Sequence, residues 1–459
     1  MERAQKTLTT AVGAVVLAVI ATAFTWYRLG PTTRATVWAE DGDVFFSEHL
    51  QYGSVGSLLH PYAGYVHLLP RLVADLAFHR PIEQYAVTVA GASCVVAGIV
   101  VAAVFVLSAD VVRAWPLRLL LAAVPVIVPI APIEVLGNAA NLHWLMLLLV
   151  PWVFTAHVKT WWGSAAVAVL ALFAVLTEPQ TLLFVPLLAV AWWRRPLRDA
   201  LRALPVTLVT LGGLGLQVWT ALTTVRPTSA GDPSVAELVK GYLLEPLAGA
   251  WIRDSFMVTR AVVAHGSFVV VVPVVAIAVL LVAALVVGSW RGRIQVVALA
   301  IGSIGIWTAA LQANSSGNRG WDEPAGLLQA MTTVPTRYAA PSAMLLTAAV
   351  VLAAALLIGP RPTRRSGRVP LVDRSRALRV VAAVAGWGAV VVVVAAAVGS
   401  VTPGLSQRQD GPAWRPQVEA QTALCRADPS ASIVVHNAPH AIDKVWDTAV
   451  PCRLVVGGR

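Results

Sequence analysis

Residues 266–289 read GSFVVVVPVVAIAVLLVAALVVGS, a run without a single charged side chain. About 20 mainly apolar residues in a helix span the hydrocarbon core of a bilayer, so this stretch predicts a membrane-spanning helix. The rest of the chain is similar, because 58% of its 459 residues are hydrophobic and only 12% are charged. An average soluble domain carries about twice that charged share. The composition therefore excludes a water-soluble globular enzyme, and it is too apolar for a disordered chain.

Ten further stretches qualify as spanning helices, so the sequence predicts an all-α polytopic membrane protein with about 11 transmembrane helices. The first stretch follows Arg3 and Lys6 and in that respect resembles a signal peptide. It is too long for one and lacks a clear small-residue cleavage site, so we predict a retained helix. The ten approximate ranges are 8–27, 85–108, 118–136, 142–157, 162–177, 180–193, 203–223, 294–312, 338–359 and 380–401.

The charges of the loops predict the orientation of the chain. With the N-terminus in the cytoplasm, the cytoplasmic segments carry 18 of the 34 Lys and Arg residues and four acids, a net charge of +14. The extracytoplasmic segments are nearly neutral, as the positive-inside rule expects. The total of +11 is then a topology signal rather than a sign of nucleic-acid binding. Together with the Arg-rich, Lys-poor composition, this predicts a multi-pass protein of a bacterial plasma membrane with an extracytoplasmic C-terminus.

Four extracytoplasmic regions are too long to be simple turns, so function is expected on that face. The first three belong to a transmembrane domain of residues 1–401, and the fourth is a small extracytoplasmic α/β appendage. Within the appendage, 432–435 and 454–456 predict strands. Cys425 and Cys452 predict a disulfide in an oxidising compartment. The four regions are 28–84, 224–265, 313–337 and 402–459.

The first of these regions contains WAEDGDVFF at residues 38–46, with three acids in four positions beside aromatic residues. Like charges this close raise one another's pKa, which favours a general base. An acidic N-cap before a short helix is the alternative, but it accounts for only one acid. Whether Glu40, Asp41 or Asp43 would be the base stays open at this point.

This acidic segment, placed just after the first helix of a polytopic protein, resembles the GT-C superfamily of membrane glycosyltransferases. WAEDG at 38–42, followed by HPYAGY at 60–65 and HLLPR at 67–71, resembles a bacterial, actinobacterial-type branch. The resemblance implies transfer of a hexose or pentose from a polyprenyl-phosphate donor to an acceptor hydroxyl. It implies Asp41, or else Glu40, as the catalytic base. A single displacement would invert the anomeric carbon.

The same resemblance implies that Arg337, in the pair Arg337-Tyr338, contacts the phosphate of the donor. Arginine suits that role because it stays charged and binds phosphate oxygens in a fork. The alternative is an Arg-Tyr pair that anchors the interface. Other polar residues of the extracytoplasmic loops are candidates for substrate binding, although turn chemistry is an equal alternative at 137–144 and a solvated turn at 177–180. These candidates are Asp43, His60, Tyr62, His67, Arg71, Asn138, Asn141, His143 and Glu178.

No cofactor is predicted, because His60 and His67 lack a recognisable metal-ligand spacing, although an acid-rich loop leaves a divalent ion open. The expected partners are the lipid-linked donor, a glycan, glycolipid or protein acceptor, and membrane lipids. Two alternatives remain: a transporter or flippase of lipid-linked sugars, and a lipid-linked glycan polymerase or ligase. Charges in loops rather than in helices, and the lack of apparent repeats, disfavour the transporter.

Overall fold

The structure is a computed structural model that describes residues 2–193, 195–226, 229–359, 376–439 and 446–457. It is mostly helical, and seven helices in the described ranges are long and apolar enough to cross a membrane. They indicate a membrane-embedded protein. These seven are Ala11–Ala35, Ile82–Asp110, Leu197–Thr223, Phe268–Val287, Trp290–Ala313, Ala339–Ile358 and Ala377–Gly399.

The α-helices and strands are numbered here in chain order. The helices are α1 (Glu2–Ala35), α2 (Ser47–Leu58), α3 (Leu68–Phe78), α4 (Tyr85–Leu107), α5 (Trp115–Ile127), α6 (Ala131–Glu134), α7 (Leu142–Phe154), α8 (Trp161–Val175), α9 (Leu188–Trp192), α10 (Leu197–Ala200), α11 (Leu204–Thr223), α12 (Val235–Tyr242), α13 (Phe256–His265), α14 (Phe268–Val287), α15 (Trp290–Ala313), α16 (Pro324–Ala330), α17 (Ala339–Ile358), α18 (Arg376–Gly399), α19 (Trp414–Ala420), α20 (Thr422–Ala427) and α21 (Cys452–Val456). The strands are β1 (Pro61–Tyr62), β2 (Tyr65–Val66), β3 (Ser432–His436) and β4 (Asp447–Pro451).

The other four predicted spans coincide with shorter apolar helices, namely Trp115–Ile127, Leu142–Phe154, Trp161–Val175 and Pro179–Trp192. The prediction that the third span continues to residue 136 is wrong, because its helix ends at Ile127 and the chain restarts as α6. Proline explains the break: Pro125 lies near the end of α5 and Pro132 in the first turn of α6, and proline removes a backbone donor.

Helix α1 continues to Ala35, beyond the predicted end near residue 27, and it kinks at Gly30, where φ is 72°. Arg28 is therefore buried rather than at the start of a loop. Its guanidinium donates hydrogen bonds to the carbonyl oxygens of Val126 (2.5 Å) and Ser400 (3.2 Å). The buried cation thus satisfies carbonyl groups at the ends of α5 and α18.

Helix α17 forms the centre of the bundle. It is buried along nearly its whole length and packs against α15, α18, α14, α5 and α7. Its many alanines allow the close helix approach typical of membrane interiors. A small residue also allows α1 and α4 to pack closely, because a Cβ atom on Gly98 would lie 2.4 Å from the carbonyl oxygen of Ala18. Cys94 of α4 is a buried free thiol.

The C-terminal tail folds as a small α/β unit. Strands β3 and β4 pair antiparallel, with Ile433 opposite Val450, and a disulfide joins Cys425 to Cys452. The predicted strand at 432–435 is confirmed as β3. The predicted strand at 454–456 is wrong, because these residues belong to α21 and the partner strand is β4. A run of three apolar residues does not distinguish a strand from a helical turn.

The bundle has two ends with different surroundings. The end called here the cavity end carries the first residues of α7 and α17 and the last residues of α15. The opposite end, called the basic end, carries the last residues of α7 and the first residues of α15. The 24 residues of α15 separate the two ends by about 36 Å at 1.5 Å per residue, roughly a membrane thickness. Residues 361–379, an Arg-rich part of the predicted cytoplasmic segments, lie mostly outside the described residues.

Candidate active site

A cavity of about 300 Å³ opens at the cavity end, where five of the predicted extracytoplasmic loops meet. Its wall combines polar groups with flat aromatic side chains, the usual composition of a small-molecule site. Among the residues that line it are Glu40, Tyr62, Tyr65, His67, Asn141, His143, Trp144, Glu178, Gln180, Arg226, Asn314, Arg337 and Tyr338.

The segment after α1 forms one side of this cavity. Residues Asp41–Phe46 form a single π-helical turn that continues into α2. Phe46 is completely buried, with its ring against those of Tyr85 and Trp414. Phe45 packs instead beside the rings of Tyr62 and His67 in the wall. The two phenylalanines therefore hold the turn in one rotation, so neighbouring side chains at its start face different surroundings.

Asp41 faces away from the cavity. Its carboxylate is 1% exposed and accepts hydrogen bonds from the backbone N–H groups of Ala139 (2.9 Å) and Ala140 (2.7 Å). Burial raises the pKa of Asp41 to about 7, against the lowering effect of these two hydrogen bonds. The predicted catalytic role does not fit this position. Asp41 instead holds the 137–141 turn in place.

Glu40 is the acid of the segment that lines the cavity. It is 9% exposed, and its Oε1 lies 3.4 Å from Nη1 of Arg337. Its Oε2 is buried and has no hydrogen-bond partner in the described part of the chain. Nη1 of Arg337 also lies 3.7 Å from Oε1 of Glu134. Burial opposes the charge of Arg337, but the carboxylates of Glu40 and Glu134 raise its pKa above the ordinary value.

A histidine–carboxylate pair forms the opposite wall. Nδ1 of His143, at the start of α7, is hydrogen-bonded to Oε2 of Glu178. The other oxygen of Glu178 accepts from the backbone N–H of Gln180 at 2.7 Å. A carboxylate on Nδ1 favours the tautomer with the proton there, which leaves Nε2 as the ring's acceptor. The solvated turn considered for Glu178 is wrong, because this carboxylate is buried.

Aromatic side chains line the space between these polar groups. The β1–β2 hairpin turns through Ala63 and Gly64, whose φ angles are 51° and 88°. A positive φ is uncommon for alanine, and such strain concentrates at functional sites. The hairpin places Tyr62 and Tyr65 in the wall beside His67. Burial lowers the pKa of His67 well below its ordinary value, so its ring is neutral.

Of the two predicted asparagines, one lines the cavity and the other does not. Asn141 lines the cavity, while its Oδ1 accepts from Nε1 of Trp144 at 3.0 Å. Asn138 is fully buried, and it binds the Glu134 carbonyl oxygen (2.5 Å) and the Asn141 N–H (2.8 Å). For Asn138 the alternative of turn chemistry is therefore the better interpretation.

Three further predicted binding residues lie outside the cavity wall. Arg71 is buried against Glu48, with Nη2 2.6 Å from Oε2. His60 lies 3.8 Å from the other oxygen of Glu48 and stacks on Tyr52. Asp43 is exposed on the outer side of the π-helical turn. The predicted substrate contacts of Asp43, His60 and Arg71 do not fit these positions.

Other residues of the site were not predicted. Arg226 lines the cavity and donates to Oδ1 of Asn314 at 3.0 Å, which joins the 224–265 and 313–337 loops. Arg408 of the tail is buried and donates to the carbonyl oxygens of Leu136 (2.5 Å) and Gly137 (2.8 Å). These pairs connect residues that are far apart in the sequence, so local patterns contain no signal for them.

The tail also supports the segment that carries Glu40. Ala438 forms a parallel bridge with Trp38, with hydrogen bonds to Val37 and Ala39. A Cβ atom on Gly42 would lie 2.4 Å from side-chain atoms of Asn437 and of Thr448, so only glycine fits there. The tail is thus part of the wall that holds Glu40 and the 137–141 turn.

Comparisons with known protein families, characterised proteins and solved structures find no match to this chain.

Proposed function

We propose that this protein is a membrane glycosyltransferase that moves a sugar from a polyprenyl-phosphate donor to an acceptor hydroxyl, on the extracytoplasmic side of a bacterial plasma membrane. The observation that carries the proposal is the pair formed by Glu40 and Arg337 in the wall of one cavity. A general base and a phosphate-binding cation, a few ångströms apart, are the two groups that this transfer needs.

An apolar groove near the cavity supports a donor that carries a lipid chain. The groove has a volume of about 390 Å³ and lies between the Pro179–Leu187 turns and α15. Gly302 and Gly305 of α15 line it together with Leu183 and Phe184. The same two elements reach the cavity further along, because residues 178–180 and Ala309 line that cavity. A chain lying in the groove would bring its phosphate to the polar wall.

Two arginines are suited to hold that phosphate. Arg337 has a fixed position between Glu40 and Glu134, and Arg226 lies on the wall with Asn314. A bidentate arginine fork matches phosphate oxygens. A bound phosphate would compete with Glu40 for Arg337, which would release the carboxylate of Glu40 for its role as a base.

The proposed chemistry is a single displacement. Glu40 accepts the proton of the acceptor hydroxyl while its oxygen forms a bond to the anomeric carbon. The bond from that carbon to the phosphate oxygen breaks, and the phosphate leaves with its charge stabilised by Arg337. Attack from the opposite side inverts the anomeric configuration. The His143–Glu178 pair binds a sugar hydroxyl through Nε2, and the aromatic wall covers the faces of the sugar ring.

The test uses purified protein in proteoliposomes with a radiolabelled lipid-linked sugar and an extract of envelope acceptors. Glu40→Gln should reduce transfer about 10²- to 10⁴-fold, the usual contribution of a general base. Glu323→Gln is the matched control, because Glu323 is an exposed residue at the same end of the bundle.

Equal activity of Glu40→Gln and the wild type would reject Glu40 as the base. Movement of the labelled lipid across the bilayer, without formation of a glycan product by the wild type, would instead support a flippase.

A further inference from the structure

We propose that the basic end of the bundle holds a second site, which binds a phosphate-bearing anion, the headgroup of an anionic phospholipid. This site is about 36 Å from the cavity end along α15, and it does not depend on the proposed enzyme activity. It is a cavity of about 580 Å³ whose wall includes four cationic side chains and two carboxylates. The charged residues are Lys159, Arg195, Arg202, Arg291, Asp110 and Asp199.

The two carboxylates neutralise only two of the four cations. Arg202 is paired with Asp199 at 2.7 Å and Arg291 with Asp110 at 3.2 Å. This leaves the charges of Lys159 and Arg195 uncompensated within the described lining. Such a surplus attracts an anion, and the low-dielectric surroundings of a cavity increase the attraction.

Hydrogen bonds to the backbone set the positions of two of these cations. Arg195 donates to the carbonyl oxygens of Ala191 (3.0 Å) and Val158 (3.3 Å), and Arg291 donates to that of Thr155 (2.6 Å). The site therefore includes two arginines held in place, which differs from a set of mobile surface lysines.

A histidine in the same wall responds to this positive potential. Burial first, and then the charges of Arg291 and Arg195, lower the pKa of His157 to about 4. The ring is therefore neutral at physiological pH and adds no charge of its own.

The aromatic residues around the site favour a lipid over a soluble anion. Trp193 and Trp290 line the cavity and remain 57% and 42% exposed. Trp161 and Trp162, at the start of the neighbouring α8, are also exposed. Tryptophan concentrates at the headgroup level of a membrane, and basic pockets between membrane helices bind anionic headgroups.

The experiment measures lipid binding by native mass spectrometry of the full chain in detergent, with phosphatidylglycerol as the probe. Each cation near the headgroup contributes about fivefold to affinity, so Lys159→Gln/Arg195→Gln should bind phosphatidylglycerol about 25-fold more weakly. Lys159→Gln alone should lose about fivefold, and the exposed position of Lys159 makes misfolding no explanation for this loss. Arg198→Gln is the charge-matched control, since Arg198 is exposed on α10, outside the cavity lining.

Two further probes separate the possible sources of phosphate. Phosphatidylcholine should bind weakly and without dependence on either cavity variant. Unchanged phosphatidylglycerol affinity in Lys159→Gln, or an equal loss in Arg198→Gln, would overturn the site. Inorganic phosphate that binds as tightly as the lipid, with the same loss in the cavity variants, would overturn the lipid and identify a soluble phosphate compound as the ligand.

Discussion

The two ends of the helical bundle use arginine in different ways. At the cavity end three arginines have specific partners: Arg337 has two carboxylates, Arg71 has Glu48, and Arg408 has two carbonyl oxygens. At the basic end the cations outnumber the carboxylates around an open cavity. The first arrangement fixes the positions of side chains, whereas the second creates a positive electrostatic potential.

The net charge of +11 therefore comes from two kinds of cation, unpaired and paired. A surplus of unpaired cations favours one membrane face and anionic headgroups there. Paired arginines add little to that surplus, but they hold neighbouring groups at defined distances. Substitutions that keep the charge and change only the shape should therefore affect the cavity end far more than the basic end.

Among substitutions that keep the charge, the largest effect should come from Arg337→Lys. The lysine keeps the positive charge but loses the planar fork that reaches Glu40, Glu134 and a donor phosphate together. Loss of a transition-state donor reduces kcat about 10²- to 10³-fold, and we expect a loss of this size in the proteoliposome transfer assay. Arg195→Lys at the basic end should weaken phosphatidylglycerol binding by less than the fivefold of a lost charge, because the charge remains even though the hydrogen bonds to Ala191 and Val158 change.

The controls for this pair are Arg260→Lys and the melting temperature of each variant. Arg260 is exposed at the cavity end and lies outside the cavity lining. Transfer by Arg337→Lys at the wild-type rate would show that charge alone also suffices at the cavity end, and the contrast between the ends would disappear.

The next effect concerns the disulfide of the tail. Cys425 and Cys452 are 27 residues apart, and a loop of that length corresponds to about 3 kcal/mol of stabilisation. The tail supports the wall beside Glu40 through Ala438 and Trp38. Cys425→Ser/Cys452→Ser should therefore lower both the thermal stability and the transfer rate, and leave lipid binding at the basic end intact.

A reducing agent provides the control for this prediction. It should reproduce the loss in the wild type and have no additional effect on the double serine variant. A loss of phosphatidylglycerol binding in that variant would indicate global destabilisation rather than a local change in the wall.

The helices could be predicted from the sequence because a long apolar segment in a membrane must satisfy its backbone hydrogen bonds internally, which a helix does. The third span shows the limit: its composition continues to residue 136, but Pro125 and Pro132 break the helix. The cavity itself could not be predicted, because the sequence indicates only the face of the membrane on which function is expected. Of its polar residues, the sequence identified Glu40, Tyr62, His67, Asn141, His143, Glu178, Arg337 and Tyr338, because polar side chains beside the ends of membrane helices are conspicuous.

Which of two neighbouring acids faces the cavity could not be predicted. Consecutive residues of a helical turn point in different directions, so the outcome depends on the rotation of the turn about its axis. That rotation is set by the N–H groups of Ala139 and Ala140 and by the close fit of Gly42 against Asn437 of the tail. These contacts join segments about 100 and about 400 residues apart, and no local pattern encodes them.

The smallest effect, and the one that separates the two acids, is that of Asp41→Asn. Burial raises the pKa of Asp41 from 3.8 to about 7. The unfolded chain releases this proton near pH 4, so the folded state holds more protons between about pH 4 and 7. Wild-type stability should therefore fall as the pH rises through that window and level off above it. Asparagine does not titrate, so its variant lacks this dependence.

At pH 5 the variant should be about 1–3 kcal/mol less stable than the wild type, because its amide NH₂ faces one of the two N–H donors. The difference should narrow towards pH 8, where the buried Asp41 is ionised. Tryptophan-fluorescence melts at pH 5, 6, 7 and 8 measure it, and a constant difference would mean that Asp41 is ionised throughout. Transfer by Asp41→Asn should exceed that of Glu40→Gln, since one variant loosens the 137–141 turn and the other removes the proposed base.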